Sequence, residues 1–373
     1  MHVTLVMIVK NEERVIKRAL ESVREKVHSW VIHDTGSTDR TVDIVKETMA
    51  GIPGHIRIRE WKNFSWNRNL VFRDAEAFQK TAALSVDEPY LFMLDADDLV
   101  SFHKDFEWPK CDLAAGYRVR VQHNGVDQDR VHLFRSGLGW EHVRRVHEYS
   151  RIPDHDPIKH PLSFLNGATY VSGSGGARAE DPGRWIRDAA LLEEDLKETP
   201  NDPRTLFYLA RSYKYAGNLE LASDFFERRI AADGWIEEKF YAAYELLECT
   251  IALKRSKEEC IRRALEAFTI LPTRAEPLWR IARHLRMSTA DASGAKEAFP
   301  FASAAASIPK PDQGLFVHRS VYEWQSLDEL AVSAYWCGNR KLAQESNLKI
   351  LERHIPMPVE DANRILANLA LTP

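Results

Sequence analysis

The sequence predicts two domains of different class. The first is an α/β domain on a Rossmann-like, mostly parallel sheet over residues 1–176; the second is an all-α helical repeat domain over residues 177–373. Three observations carry this. Short apolar runs alternate with helical patterns up to about residue 175, as strands and their covering helices do in parallel sheets. The β signal vanishes after Gly173-Ser174-Gly175-Gly176, and from Asp181 the pattern is helical. A length of 373 residues is more than one ordinary domain needs.

Val3 to Val9 is an almost unbroken apolar run, as expected of a strand buried on both faces. Asn11 to Lys26 follows with Val15, Ile16, Ala19, Leu20 and Val23 on one helical face. Trp30 to His33 reads as a second strand, and Ser37 or Thr38 as the cap of a helix through Thr48. His55 to Glu60 alternates as a third strand, Asn67 to Lys80 reads as a helix, and Tyr90 to Leu94 as a fourth strand. Sheets of this kind bind ligands at the carboxyl ends of their strands. The residues just after each strand are therefore the first candidates for chemistry.

Composition narrows the class. The net charge is 51 − 55 = −4, so no global field recruits nucleic acid or anionic lipid. No apolar run approaches the ~20 residues that cross a bilayer, and Met1-His2-Val3-Thr4 reads as the start of a strand. Cys111, Cys249, Cys260 and Cys337 form no CxxC pair, which speaks against a zinc site or disulfide framework. The expectation is a soluble, cytoplasmic protein.

Internal repetition marks the second half. Leu206, Leu209, Ala210, Tyr213, Ala222 and Phe226, with a turn at Gly217, sit at the positions of tetratricopeptide (TPR) helical hairpins. Tyr244, Leu247, Ile251, Ala264, Ala267 and Pro272 repeat much of that spacing. Leu327, Leu330, Ala331, Ala334, Gly338, Ala343 and Ile350 do so again. A period near the ~34 residues of that class predicts stacked hairpins, with an irregular helical domain as the alternative.

Chemistry concentrates in the first half. Leu91-Phe92-Met93-Leu94-Asp95-Ala96-Asp97-Asp98 sets three carboxylates directly after an apolar strand. Such a cluster is costly unless a cation neutralises it, and hard oxygen ligands suit Mg²⁺ or Mn²⁺ on a substrate phosphate. Alone it also reads as a solvated acidic turn. His33-Asp34-Thr35-Gly36-Ser37-Thr38-Asp39 follows the second strand, with Asp34 placed to accept hydrogen bonds from a base or ribose. A capped strand-to-helix turn accounts for the rest of that segment. Lys10-Asn11-Glu12-Glu13 follows the first strand, where a helix cap is an equally simple reading.

These segments, in this order and at these separations, resemble family 2 glycosyltransferases of GT-A fold. Asn63-Phe64-Ser65-Trp66-Asn67-Arg68-Asn69 is similar to another segment of that family, with Asn67 where Ala is more usual. Pro200 to Ala210, Gly234 to Glu238 and Ala275 to Leu278 resemble a subgroup that carries tetratricopeptide repeats. The resemblance implies an inverting transfer from a nucleotide-sugar donor, most commonly a UDP-sugar. It implies that Asp34 contacts the base and that Lys10, Asn11, Glu12 and Arg68 line the nucleotide pocket. It implies that Asp95 reaches the ribose or metal-bound water, while Asp97 holds Mn²⁺ or Mg²⁺. Trp140 to Tyr149 is similar to the family's acceptor-side segment, which makes Glu148 the expected base and His147 a metal or phosphate contact. An exposed hairpin pairing Glu148 with Arg144 or Arg145 is the alternative, with Glu141 and Asp129 as fallback bases. Gly173 to Arg178 reads either as a flap bringing Arg178 to the donor phosphates or as a linker.

The acceptor is expected to be large (a protein, a glycan or modified DNA) because repeat arrays present extended surfaces. Lys254, Arg255, Arg262, Arg263, Arg280, Arg283 and Arg286 could form a strip for a DNA backbone or be ordinary helix faces balanced by nearby Glu. A repeat scaffold with a vestigial catalytic domain is the competing class; the intact acidic segment, Asp34 and Arg68 speak against it.

Overall fold

The computed structural model describes residues 1–81, 88–110, 114–123, 125–173, 181, 183–289 and 291–371. Contacts divide the chain into two compact units: Met1–Asn124 with Gln128–Leu192, and Gly125–Asp127 with Glu193–Pro373.

The first unit is a mixed α/β sheet domain. Its strands are β1 (His2–Val9), β2 (Ser29–Asp34), β3 (Gly54–Ile58), β4 (Pro89–Met93), β5 (Leu99–Phe102), β6 (Gly116–His123), β7 (Val126–Arg135), a short pair β8 (Glu141–Val143) and β9 (Tyr149–Arg151), and β10 (Leu162–Val171). The main sheet runs in the order β3-β2-β1-β4-β7-β6-β10-β5. The first four strands in that order are parallel, which sends the ends of β1, β2 and β4 to one edge; Val9 lies beside Asp34 and Val6 beside Met93. At β4 the sheet turns antiparallel against β7, and β10 is antiparallel to β5.

Helices α1 (Ile16–Val23), α2 (Thr41–Thr48) and α3 (Phe64–Thr81) cover this parallel half. Side chains alternate across a strand, so Val3, Leu5, Met7 and Val9 pack against Ile16, Ala19, Leu20 and Val23 of α1. On the other face Val6 and Val31 meet Val71, Phe72 and Ala75 of α3. Ile16 and Leu20 are fully buried, each contributing about 2 kcal/mol by removal from water.

Two helices begin later than their apolar pattern suggests, for one reason. The stretch from Lys10 to Val15 is not free to coil because it is stitched to the loop after β2. Asn11 N donates to Ser37 Oγ (2.9 Å), Thr38 N to Asn11 Oδ1 (2.7 Å), Glu12 N to Thr41 Oγ1 (2.7 Å) and Arg40 N to Glu13 Oε2 (3.0 Å). Ser37 and Thr38 therefore serve this seam, and α2 starts at Thr41 with no side-chain cap.

Helix α4 (Arg184–Glu198) contains the division between the units. In the second unit, helices α5 (Pro203–Tyr215) with α6 (Leu219–Ala231), α7 (Ile236–Ala252) with α8 (Lys257–Ile270), α9 (Glu276–Met287) with α10 (Ala292–Ser307), and α11 (Ser326–Trp336) with α12 (Arg340–Glu352) form TPR-like hairpins, followed by α13 (Val359–Ala370). The first and last turns share one chemistry. Gly217 and Gly338 take positive φ of 86° and 83°, which costs glycine nothing. Asn218 and Asn339 then cap α6 and α12 through the amides of Leu221 and Leu342. At the second turn Lys254 takes the left-handed position and Ser256 caps α8. The expected repeat positions Leu206, Leu209, Ala210, Ala222, Phe226, Leu247, Ala264, Ala267, Leu330, Ala334, Ala343 and Ile350 are buried.

One stretch departs from the repeat. Between α10 and α11 runs an extended segment with the short strand β11 (Val317–His318), which pairs with Asp127 and Val126. Beneath it Arg274 and Glu276, 1% and 0% exposed, form a buried ion pair at 2.8 Å. Tyr322 Oη donates to Glu276 at 2.6 Å, and Arg274 donates to the carbonyls of Leu315 and Phe316. Among the described residues no helix is long and apolar enough to cross a membrane. Cys249 and Cys260 are buried free thiols and Cys337 is exposed.

Candidate active site

Where β1, β2 and β4 end, the first unit gathers its charged side chains. Arg68 sits in the first turns of α3. Asn63 caps that helix by accepting from Trp66 N at 2.8 Å, and the buried Asn67 ties it to the preceding loop through Glu60 O and Lys62 N. The unusual asparagine at position 67 is thus accounted for by backbone hydrogen bonds. Arg68 itself is 7% exposed. Its Nη2 donates to Asp95 at 2.8 Å, its Nη1 to Met93 Sδ at 2.8 Å, and its Nε lies 2.7 Å from Glu148 Oε1. One guanidinium therefore bridges two carboxylates that are 53 positions apart in sequence (148 − 95). Burial disfavours the cation, but Asp95 and Glu148 outweigh it and hold Arg68 above its usual pKa. Burial likewise opposes ionisation of Asp95, and Arg68 reverses that, lowering its pKa.

The acidic segment is crowded. Asp98 is 7% exposed and its pKa is pushed up to about 7, first by burial, then by Asp95 and Asp97. The amide of Gly173 donates to Asp98 Oδ1 at 3.1 Å. A Cβ on Gly173 would collide with the carbonyl oxygen of Asp97, so only glycine fits there. Met93, just before this segment, is held from behind. Its carbonyl oxygen accepts from Tyr170 Oη and lies 3.1 Å from His132 Nδ1. His132 packs 4.0 Å from the Tyr170 ring, and burial followed by Arg130 lowers its pKa to about 4.

The structure places the other expected residues as follows. Asp34 is 1% exposed, with Oδ1 accepting from the amides of Gly36 (3.0 Å) and Ser37 (2.9 Å). Asn11 and Glu12 lie in the seam described above; Lys10 is exposed at its start. His147, with φ of 51°, adjoins Glu148 in the connection between β8 and β9. Among the described residues no group of three or more His, Cys, Asp or Glu is assembled as a metal cage. Arg178 and the stretch after Gly173 lie outside the described residues.

Glu148 lies on a hairpin and pairs with Arg68. The fallback bases are engaged elsewhere: Glu141 with Arg151 at 2.7 Å and Asp129 with Arg120 at 2.5 Å. The basic residues of the second unit are largely neutralised. Arg255 pairs with Glu220, Arg262 with Glu266, Arg263 with Glu227, Arg280 with Glu248, and Arg286 with Glu329. Sequence reasoning missed His132, His142 and Tyr170, which come from β7, β8 and β10. No local motif marks them, because strand pairing brings them to the site.

The family model for glycosyl transferase family 2 matches residues 4–165. Residues 4–165 form a family 2 glycosyltransferase domain. Two curated relatives bear glycosyltransferase names: the SPbeta prophage-derived glycosyltransferase SunS of Bacillus subtilis (strain 168) and glycosyltransferase SunS of Bacillus phage SPbeta. Each is 25% identical over 266 residues, covering 68% of this chain and 59% of the relative. The chain thus spans about three fifths of the length of these relatives. Among solved structures, a crystal structure of MamA aligns over 49% of this chain and 92% of its own, at 16% identity and TM-score 0.37. A crystal structure of YrrB, titled a TPR protein with an unusual peptide-binding site, aligns over 50% of this chain and 83% of its own, at 14% identity and TM-score 0.35. In the family 2 domain the matched residues include the ends of β1, β2 and β4, Arg68, the acidic segment and Glu148.

Proposed function

We propose that the family 2 domain moves a sugar from a nucleoside-diphosphate donor, uridine diphosphate foremost, to a hydroxyl of a large acceptor, with inversion at the anomeric carbon. The observation that carries this reading is the bridge from Arg68 to Asp95 and Glu148 at the strand ends. A planar, permanently charged fork suits a diphosphate. A carboxylate across from it suits an acceptor proton. In this reading the loop seam of Asn11, Glu12 and Asp34 forms the nucleotide pocket, with Lys10 at its rim, Asp34 toward the base and Asp95 toward the ribose. The acceptor oxygen attacks the anomeric carbon as the carbon–phosphate oxygen bond breaks. Glu148 takes the acceptor proton, and the diphosphate leaves with the bonding pair, its charge met by Arg68 and by His147 beside it. A single displacement with one base inverts the centre.

Asp97 and Asp95 fit a Mn²⁺ or Mg²⁺ ion. Such ions are held by one or two carboxylates while substrate phosphates and waters complete the shell, and the pKa of Asp98, raised first by burial, is raised further by the like charges of Asp95 and Asp97, which a cation would relieve. When bound, the ion would supply Lewis-acid stabilisation of the leaving diphosphate. Neutralisation of the arginines by neighbouring glutamates favours a polypeptide or glycan acceptor over modified DNA. The test is Glu148→Gln. Turnover should fall by roughly 10²–10⁴-fold, the range for a lost general base, with donor affinity kept. Normal turnover in that variant removes Glu148 from the mechanism.

A further inference from the structure

The base lies on a weakly built element. The β8–β9 sheet has three register pairs, and the connection between its strands holds Arg144 and His147 at positive φ of 85° and 51°, which non-glycine residues rarely adopt. Glu148 follows His147 directly. A two-stranded ribbon this short is at best marginal on its own, so its position must come from what it is fastened to.

It is fastened to α3 by two consecutive residues. Arg68 reaches Glu148, and Asn69, next along the helix, reaches β8. Asn69 Nδ2 donates to His142 O at 2.8 Å, and His142 N donates to Asn69 Oδ1 at 2.6 Å. A primary amide satisfies both the donor and the acceptor of one backbone residue, as a neighbouring strand would; among side chains only Asn and Gln offer both groups in that planar form. The residue so gripped is also wedged. The His142 ring is 3% exposed and meets Phe72 of α3 and Phe134 of β7 edge-on, at 4.7 and 6.0 Å between centroids.

We propose that Asn69 is a positioning residue for transfer, the clamp that sets the distance between the base on the hairpin and Arg68 on the helix. This rests on Glu148 being the base. Without the clamp the hairpin can shift against α3 while the sheet, the acidic segment and the nucleotide loops stay in place. A displacement of about 1 Å at a reacting group is enough to cost on the order of a hundredfold.

The experiment compares Asn69→Ala, Asn69→Asp and wild type as full chains, with uridine diphosphate and Mn²⁺ as the binding probe. Asp keeps the acceptor for His142 N and loses the donor to His142 O, so it should fall between the other two. Expected are kcat values in the order wild type, Asp, Ala, with a total fall of about tenfold to a hundredfold. Affinity for the probe should stay within about twofold, and faster amide exchange should be confined to residues 141–151. Unchanged exchange there in a folded Asn69→Ala chain overturns the clamp. Loss of probe affinity in parallel with kcat also overturns it, since that marks a general loss of structure. If Asn69→Ala fails to fold, Asn69→Asp carries the same comparison. Faster exchange with unchanged kcat overturns Asn69 as a positioning residue for transfer, and Glu148→Gln then tells separately whether Glu148 is the base.

Discussion

The two units differ in how their carboxylates are arranged. In the family 2 domain like charges are crowded: Asp95, Asp97 and Asp98 fall within four residues, and Asp98 has its pKa raised to about 7. In the helical unit opposite charges form pairs between alternate helices, Lys214 of α5 with Glu245 of α7, Arg280 of α9 with Glu248 of α7, and Arg286 of α9 with Glu329 of α11. Crowding of like charge is destabilising and is kept where a ligand will relieve it. Paired charge between helices is the behaviour of a scaffold. The contrast locates chemistry in the first unit and architecture in the second, and each side of it can be broken.

The largest expected effect is on turnover. Arg68→Lys keeps the charge but loses the planar fork that reaches both Asp95 and Glu148, so kcat should fall by about 10²–10³-fold and the melting temperature should fall too, since the group is buried; steady-state kinetics with calorimetry measures both. Next comes stability of the helical unit. Glu276→Gln leaves Arg274 with Glu237 as its remaining ion-pair partner, so the loss should lie below the about 3–5 kcal/mol of a fully broken buried pair, measurable by urea unfolding. Donor binding by the first unit should survive it.

A smaller effect is set by pH. His132 has a folded pKa of about 4, below its usual value of 6.5, because burial and Arg130 disfavour its charged form. The unfolded chain therefore binds more protons between those values. The associated stability is present above pH 6.5 and is lost as pH falls toward 4, by about 3 kcal/mol for this group. His142 is also held low, by burial and then by Arg68 and His132, so His142→Leu should flatten the acid limb of a stability–pH curve. The smallest effect belongs to the exposed pairs. Arg262→Ala, which removes a contact to Glu266, should change stability by less than about 0.5 kcal/mol and leave turnover unchanged.

Much of this was legible in the sequence where a feature is local. The apolar strands, the acidic segment after β4, the loops after β1 and β2, and the glycine turn of the first hairpin are each contained in a few consecutive residues. The helix starts at Ile16 and Thr41 were less legible, because loop-to-loop hydrogen bonds compete with helix formation and no periodicity records them. The antiparallel half was least so. His132, Tyr170 and His142 reach the site by pairing of distant strands, and the partnership of Arg68 with Glu148 spans a hairpin whose strands are three residues each. Buried ion pairs such as Arg274 with Glu276 were hidden for the opposite reason, since two charged residues near a helix start read as solvent-facing.

The most direct test of the central claim is donor binding and slow hydrolysis across a panel of nucleotide sugars, with and without Mn²⁺, on wild type and Asp97→Asn. Expected is metal-dependent binding or hydrolysis of one donor that is lost in the variant. If no donor interacts in a metal-dependent way, or Asp97→Asn behaves as wild type, the metal-assisted transfer proposed for this site is contradicted.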